Sequence, residues 1–279
     1  MKKGPGMAAA ELDFVPGEPG LAYSALGEGP TVVFLHGVGG NRGNWADQLP
    51  AFAPQFRAVA WDARGYGDSA DYAGPLDFAD FSGDLLRLLD HLRVRRAHLC
   101  GLSMGGRIAL DFYERHPARV ATLVLCDSFA GFDADFTPER RAAFVRQRKE
   151  PLLQGKRPAD IAPDLARILM GRKAPKSVFD RLVASMAALR KESYIKAVEA
   201  TTMYQRNADL AQVAVPTLLV YGGDDRLTPP ALGRTLAAQI RGARLLVIEE
   251  AGHLVNIEKP AEFNAAVLGF LREHRDRAA

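Results

Sequence analysis

The chain has 279 residues, a formal net charge of +3 and 48% hydrophobic residues. That suffices for one large domain, or a domain with an insertion, and argues against a disordered chain. A balance so near neutral carries no nucleic-acid footprint unless the positive charges cluster, and no apolar run approaches the ~18 residues that a membrane span needs.

Residues 1–10 hold Lys2 and Lys3 but no apolar stretch behind them, so they read as a flexible leader and not as a secretory signal. LAYSAL (21–26) is expected to be an antiparallel edge strand. TVVFLH (31–36) follows, and after it the glycine-rich HGVGGNRG (36–43). A glycine turn after a strand is how dinucleotide-binding folds meet a pyrophosphate, and Asp62, ending FRAVAWD (56–62), sits near the expected ribose position. Against that, Arg42 occupies the third glycine position of G-x-G-x-x-G, so no cofactor is expected there.

FADFSGDLLRLLDHL repeats Phe78, Phe81, Leu85, Leu88, Leu89 and Leu92 at helical spacing. Further strand-like runs are AHLCGL (97–102), ATLVLCDS (121–128), TLLVYGG (217–223) and RLLVIEE (244–250). Strands apolar on both faces and alternating with helices predict an α/β fold, a mostly parallel sheet covered by helices on both sides. Cys100 and Cys126 lie inside two of these runs, where a buried, reduced thiol is the ordinary outcome; a cytoplasmic location is the expectation.

The alternation breaks between Phe129 and Ala211, where only helical patterns appear. The expected organisation is a core of residues 1–128 and 212–279 and a helical cap, or lid, of residues 129–211. The cap segment holds 16 Lys and Arg against 10 Asp and Glu, a net of +6. Such an excess over a sheet's mouth would steer an anionic substrate inward, unless Arg140, Arg141, Arg146, Arg148 and Lys149 only solvate one helix face.

The run AHLCGL leads into GLSMGG, a G-x-S-x-G pattern between a strand and the helix RIALDFYERH. A serine on that turn is held in strained backbone, and small residues two positions away let strand and helix approach. A serine hydroxyl attacks only when a base takes its proton, and the base needs an orienting carboxylate. The expected chain order is Ser103, then the acid, then the histidine. His36 precedes the serine, His91 and His98 flank a strand, His116 ends a helix and His274 is in the tail, which leaves His253 in EEAGHLVNIEKP. Asp225 in YGGDDRLTPP is the favoured acid, with Asp224 turning the loop and Asp127 a second position that could reach the same imidazole; both post-strand aspartates could instead cap the next helix. The glycine loop after TVVFL then supplies an oxyanion hole, one N–H from Val38 and one from Met104. No paired histidines or Cys/His cluster suggest a metal.

HGVGG, DARGYGDS, GLSMGG, YGGDDRLTP and AGHLVNIEKP together resemble the α/β-hydrolase superfamily over about residues 20–273. Within it, AHLCGLSMGG, LVLCDS and the segment from PPALG to KPAEF are most similar to 3-oxoadipate enol-lactonases and related esterases. Those lactonases often carry an Asn-Ser-Leu-Gly oxyanion loop, whereas HGVGG is the commoner esterase form. SMGGRIAL also resembles a menaquinone-pathway synthase that eliminates pyruvate, although Arg107 there reads more simply as a solvated helix residue. The resemblance implies a cofactor-free serine hydrolase of a carboxylic ester or lactone, with a small-molecule substrate, which the basic cap would favour as an anion, and neither nucleic acid nor membrane as partner. A C–C hydrolase, a pyruvate-eliminating lyase or a ligand-sensing protein of the same fold are the alternatives, and a homo-oligomer is compatible with the reading.

Overall fold

The computed structural model describes residues 10–131, 136–204 and 209–278. In chain order the strands are β1 (Glu11–Val15), β2 (Leu21–Leu26), β3 (Thr31–Leu35), β4 (Arg57–Trp61), β5 (Ala97–Leu102), β6 (Val120–Cys126), β7 (Thr217–Gly222) and β8 (Arg244–Ile248). They form one sheet in the order β1-β2-β4-β3-β5-β6-β7-β8. β1 and β2 pair antiparallel with each other, β2 is antiparallel to β4, and every other pairing is parallel. LAYSAL is therefore not the edge strand. The edge is β1, which no apolar run announces, because of its five residues only Val15 is buried.

The helices are α1 (Gln48–Phe52), α2 (Phe78–His91), α3 (Met104–Arg115), α4 (Pro138–Leu153), α5 (Pro158–Leu169), α6 (Lys176–Ala187), α7 (Lys191–Met203), α8 (Pro230–Gln239), α9 (Val255–Glu258) and α10 (Pro260–Glu273). α2 starts where Asp77 accepts the Ala79 N–H at 2.9 Å and Asp80 accepts the Asp77 N–H at 3.1 Å, a reciprocal cap. Its Phe78, Phe81, Leu85, Leu88 and Leu89 are buried against α3 and one face of the sheet. On the other face Leu49 and Phe52 of α1 pack with Phe263, Val267 and Phe270 of α10. Two apolar layers thus clamp the sheet, the arrangement that strands buried on both sides require.

Cys100 and Cys126 are buried, with their sulfurs 3.9 Å apart, too far for a disulfide. Among the described residues four helices, α4 to α7, stand between β6 and β7, with α5 packed on α6 and α4 on α7. Among the described residues no helix is long and apolar enough to cross a membrane.

The strand order matters for the site. From β3 the chain crosses to β4 on one side, whereas β5 pairs on the other. The loops after β3 and β5 therefore leave the same end of the sheet at a topological switch point, where open α/β sheets leave a crevice.

Candidate active site

Ser103 sits between β5 and α3 with φ 54° and ψ −114°, a backbone conformation that an L-residue holds only when its surroundings force it. The forcing is visible. Ser103 N–H donates to Cys126 O at 2.8 Å, and Ser128 Oγ donates to Ser103 O at 2.7 Å. The neighbouring glycines leave no room for a side chain. A Cβ on Gly101 would stand 2.2 Å from Gly105 O, and one on Gly105 would stand 2.1 Å from Leu35 O. Strand β5, strand β3 and the first turn of α3 are in backbone contact, which is why this turn needs its glycines.

The loop after β3 approaches the same serine: a Cβ on Gly37 would lie 3.1 Å from Ser103 Cβ. His36 holds that loop. Its Nε2 accepts the Ala63 N–H at 3.0 Å, so the ring proton is on Nδ1, which donates to Gly37 O at 2.8 Å. Burial lowers the His36 pKa and keeps this ring neutral. Met104 opens α3, so its N–H belongs to the unbonded donors of a helix N-terminus. Val38 N–H has no acceptor among the described residues. Asp62 is fully buried and accepts from Arg42 N–H at 2.6 Å and Asp68 N–H at 2.9 Å, besides pairing with the Arg42 guanidinium. It ties two loops together, and its buried carboxylate is engaged by protein donors.

Asp225 and His253 are both buried, at 4% exposure each. His253 Nδ1 lies 2.8 Å from Asp225 Oδ2, and Asp225 Oδ1 accepts the N–H groups of Leu227 at 2.8 Å and Thr228 at 3.1 Å. Burial pushes the Asp225 carboxyl up, but the His253 charge and these hydrogen bonds outweigh it, and the net shift is downward. The second candidate acid, Asp127, is fully buried one strand away, with its Oδ1 accepting the Gly222 N–H at 2.8 Å. No hydrogen bond joins it to His253, and burial together with the nearby Asp225 charge pushes its carboxyl well above the usual range. Asp224 turns outward to Arg172 of the inserted segment, at 2.9 Å.

Ser103, His253 and Val38 line one cavity of about 440 Å³, roofed by residues of α4 to α7. Among the described residues no hydrogen bond yet joins Ser103 Oγ to His253 Nε2, a looseness common in sites without substrate. The inserted segment is fastened to the histidine loop. His253 N–H donates to Leu169 O at 2.7 Å, and Glu258 Oε2 accepts from both Gly171 N–H at 3.0 Å and Gly252 N–H at 3.1 Å.

Two residues differ from their reading in the sequence. Arg107 is not solvated: it is 2% exposed, donates to Tyr204 O at 3.2 Å and to Thr201 O, and lies 4.6 Å from the Phe129 ring centroid. Burial lowers its pKa to about 10. It anchors the end of α7 to the helix that follows Ser103. Thr228 gave no signal at all, yet its Oγ1 stands 2.5 Å from Asp225 Oδ2, 3.1 Å from His253 Nδ1 and 2.9 Å from Asp127 O. Only the distance from Asp225, three residues, could have pointed to it.

A strained serine turn at a switch point, sharing a cavity with the histidine of a buried Asp–His pair, is an arrangement expected of an α/β hydrolase. The chain belongs to the α/β-hydrolase fold family, whose sequence profile matches residues 30–260. It is 34% identical over 249 residues, 89% of its length, to the dihydrolipoyllysine-residue acetyltransferase component of the acetoin cleaving system of Pseudomonas putida, of which it spans 65%. It is 28% identical over 250 residues to 3-oxoadipate enol-lactonase 2 of Acinetobacter baylyi, covering 88% of this chain and 91% of that one. Among solved structures, a thermophilic esterase from Thermogutta terrifontis with malate bound superposes with a TM-score of 0.87 at 27% identity, over 95% of this chain and all of the other.

Proposed function

We propose that the protein is a cofactor-free serine hydrolase that cleaves a carboxylic ester or lactone through an acyl-enzyme. The observation that carries this reading is the buried Asp225–His253 hydrogen bond of 2.8 Å beside a cavity that His253 shares with the strained Ser103. Ser103 Oγ attacks the carbonyl carbon while His253 Nε2 takes its proton. Asp225 holds the Nδ1–H tautomer and stabilises the imidazolium that forms. The Val38 and Met104 N–H groups receive the oxyanion. The imidazolium then protonates the leaving alkoxide, which departs as an alcohol or, from a lactone, stays tethered to the acyl group. Water, deprotonated by His253, attacks the acyl-enzyme and releases the acid and Ser103.

Residues 129–211 form the cap over this site in our reading, and the core comprises residues 1–128 and 212–279. The similarity to an enol-lactonase and an esterase supports an ester or lactone as the substrate class. A cytoplasmic location goes with the two free buried thiols. The test is covalent labelling by a fluorophosphonate together with multiple turnover of p-nitrophenyl esters. Ser103→Ala should lose the label and lower turnover by roughly 10⁴-fold or more. Retention of most activity in a folded variant would sink the assignment.

A further inference from the structure

Much of the net charge of +6 on the inserted segment is answered by carboxylates outside it: Arg172 pairs with Asp224, Lys173 with Glu250, Arg181 with Asp47 and Arg190 with Asp71. Within the segment Lys149 pairs with Glu199, Arg157 with Asp160, Arg167 with Asp164 and Lys176 with Asp180. Arg148 is different. Its side chain lines the cavity that holds Ser103 and His253, together with Phe144, Leu165 and Tyr194. The guanidinium carbon lies over the Phe144 ring, 3.2 Å from its centroid, and Nη1 makes one long hydrogen bond, 3.4 Å, to Phe144 O. Among the described residues no carboxylate stands within ion-pair distance of it. A guanidinium has five N–H donors, so most of its hydrogen-bonding capacity is unused.

We propose that Arg148 is the anion-binding residue of the substrate cavity, where it grips a substrate carboxylate remote from the scissile bond. The inference rests on the hydrolase reading above and names the substrate class within it: esters or lactones that carry a second, ionised carboxyl group. Burial acts against the cation and lowers its pKa, yet an arginine stays protonated at neutral pH. A half-buried cation among aromatic and aliphatic side chains has lost part of its hydration without gaining a counter-ion. A carboxylate entering the cavity supplies one, with a planar fork matched to its two oxygens. Recognition is then a contact inside the cavity and not a field around it, so bulk salt screens it less than it screens surface charges. The competing account is that Arg148 only stacks on Phe144 as a cation–π pair, and it makes a different prediction.

The carboxylate can belong to the acyl or the alcohol side of the bond, and two substrate pairs separate these. The first is p-nitrophenyl hydrogen adipate against its methyl diester; the second is 4-carboxyphenyl butyrate against the methyl ester of its benzoate. Wild-type protein should prefer the anionic member of at least one pair in kcat/KM. In Arg148→Gln the anionic-to-neutral ratio for that pair should fall about 10- to 100-fold, as expected for losing a charge-assisted hydrogen bond, and Arg148→Lys should restore part of it. Calorimetric binding of adipate to wild type and to Arg148→Gln should show the same loss, and it reads out Arg148 even if no ester is turned over. Absence of turnover would count against the hydrolase reading alone. No preference for an anion in either pair, or an unchanged ratio and unchanged adipate binding in Arg148→Gln, overturns the proposal and leaves Arg148 as a stacking residue.

Discussion

Replacing Asp225 by Asn tests the proton relay most directly, because the surrounding donors dictate how the amide must sit. Oδ1 of Asp225 accepts two backbone N–H groups, from Leu227 and Thr228, while Oδ2 faces His253 Nδ1 at 2.8 Å. An asparagine must keep its carbonyl oxygen at the Oδ1 position, since an NH₂ there would meet two other donors. Its NH₂ then faces Nδ1 and forces that nitrogen to accept. The ring proton moves to Nε2, the atom that takes the proton of Ser103 in the proposed mechanism, and the imidazolium loses its neighbouring negative charge. The expected loss is about 10³- to 10⁴-fold in kcat/KM, or about 4–5.5 kcal/mol of transition-state stabilisation. Hydrolysis of p-nitrophenyl butyrate measures it, with circular dichroism and thermal unfolding as the control for folding. Asp127→Asn is the internal comparison: burial pushes its carboxyl well above the usual range and its Oδ1 is engaged by the Gly222 N–H, with no hydrogen bond to His253, so an amide of the same shape should cost less than about tenfold. If the folded Asp225→Asn variant keeps more than about a tenth of the activity, or if Asp127→Asn is the more damaging change, the relay runs through another carboxylate.

Two further outcomes concern stability. Gly105→Ala places a methyl group 2.1 Å from Leu35 O, so β3 and α3 must separate; the variant should lose about 3 kcal/mol or more, roughly 6–12 °C in Tm, and a loss under about 1 kcal/mol would show that the contact yields easily. His98 is fully buried beside Thr122, and burial lowers its pKa from 6.5 to about 4. The unfolded chain therefore takes up the proton first as the solution is acidified, and stability should fall between pH 6.5 and 4 by roughly 3 kcal/mol from this group. Urea unfolding at pH 7 and 4.5 measures that fall; it should be smaller in His98→Gln, and parallel pH dependences in the two proteins would refute the assignment.

Seven of the eight strands were legible as apolar runs, and β3, β5, β6 and β7 read most plainly because they are buried on both faces. β1 was not, since ELDFV buries only Val15 and is defined by its pairing with β2. The serine turn could be read because close backbone approach admits only glycine at Gly101 and Gly105, a constraint written in residue identity. Arg107 misled because a charged residue on a helix ordinarily faces water, and its partners, Thr201 and Tyr204, lie more than ninety positions away. Thr228 was silent because one hydroxyl in a loop looks like any other. The charge excess of the inserted helices was countable, but which arginine escapes compensation depends on ion pairs that only the folded chain creates.

The carboxylate of Glu258 has a bearing on how such proteins can be recombined. It holds Gly171, at the end of α5's segment, and Gly252, next to the proposed base, with a single oxygen, while Leu169 O takes the His253 N–H. A Cβ on Gly252 would stand 2.3 Å from Gly171 N, so the two loops touch without intervening side chains. The inserted helices are thus not an interchangeable module. A chimera that exchanges them for those of another family member at the β6 and β7 junctions would import a foreign loop against His253. To keep the imidazole in register, the graft must either retain residues 169–171 from this chain or bring its own histidine loop along with it.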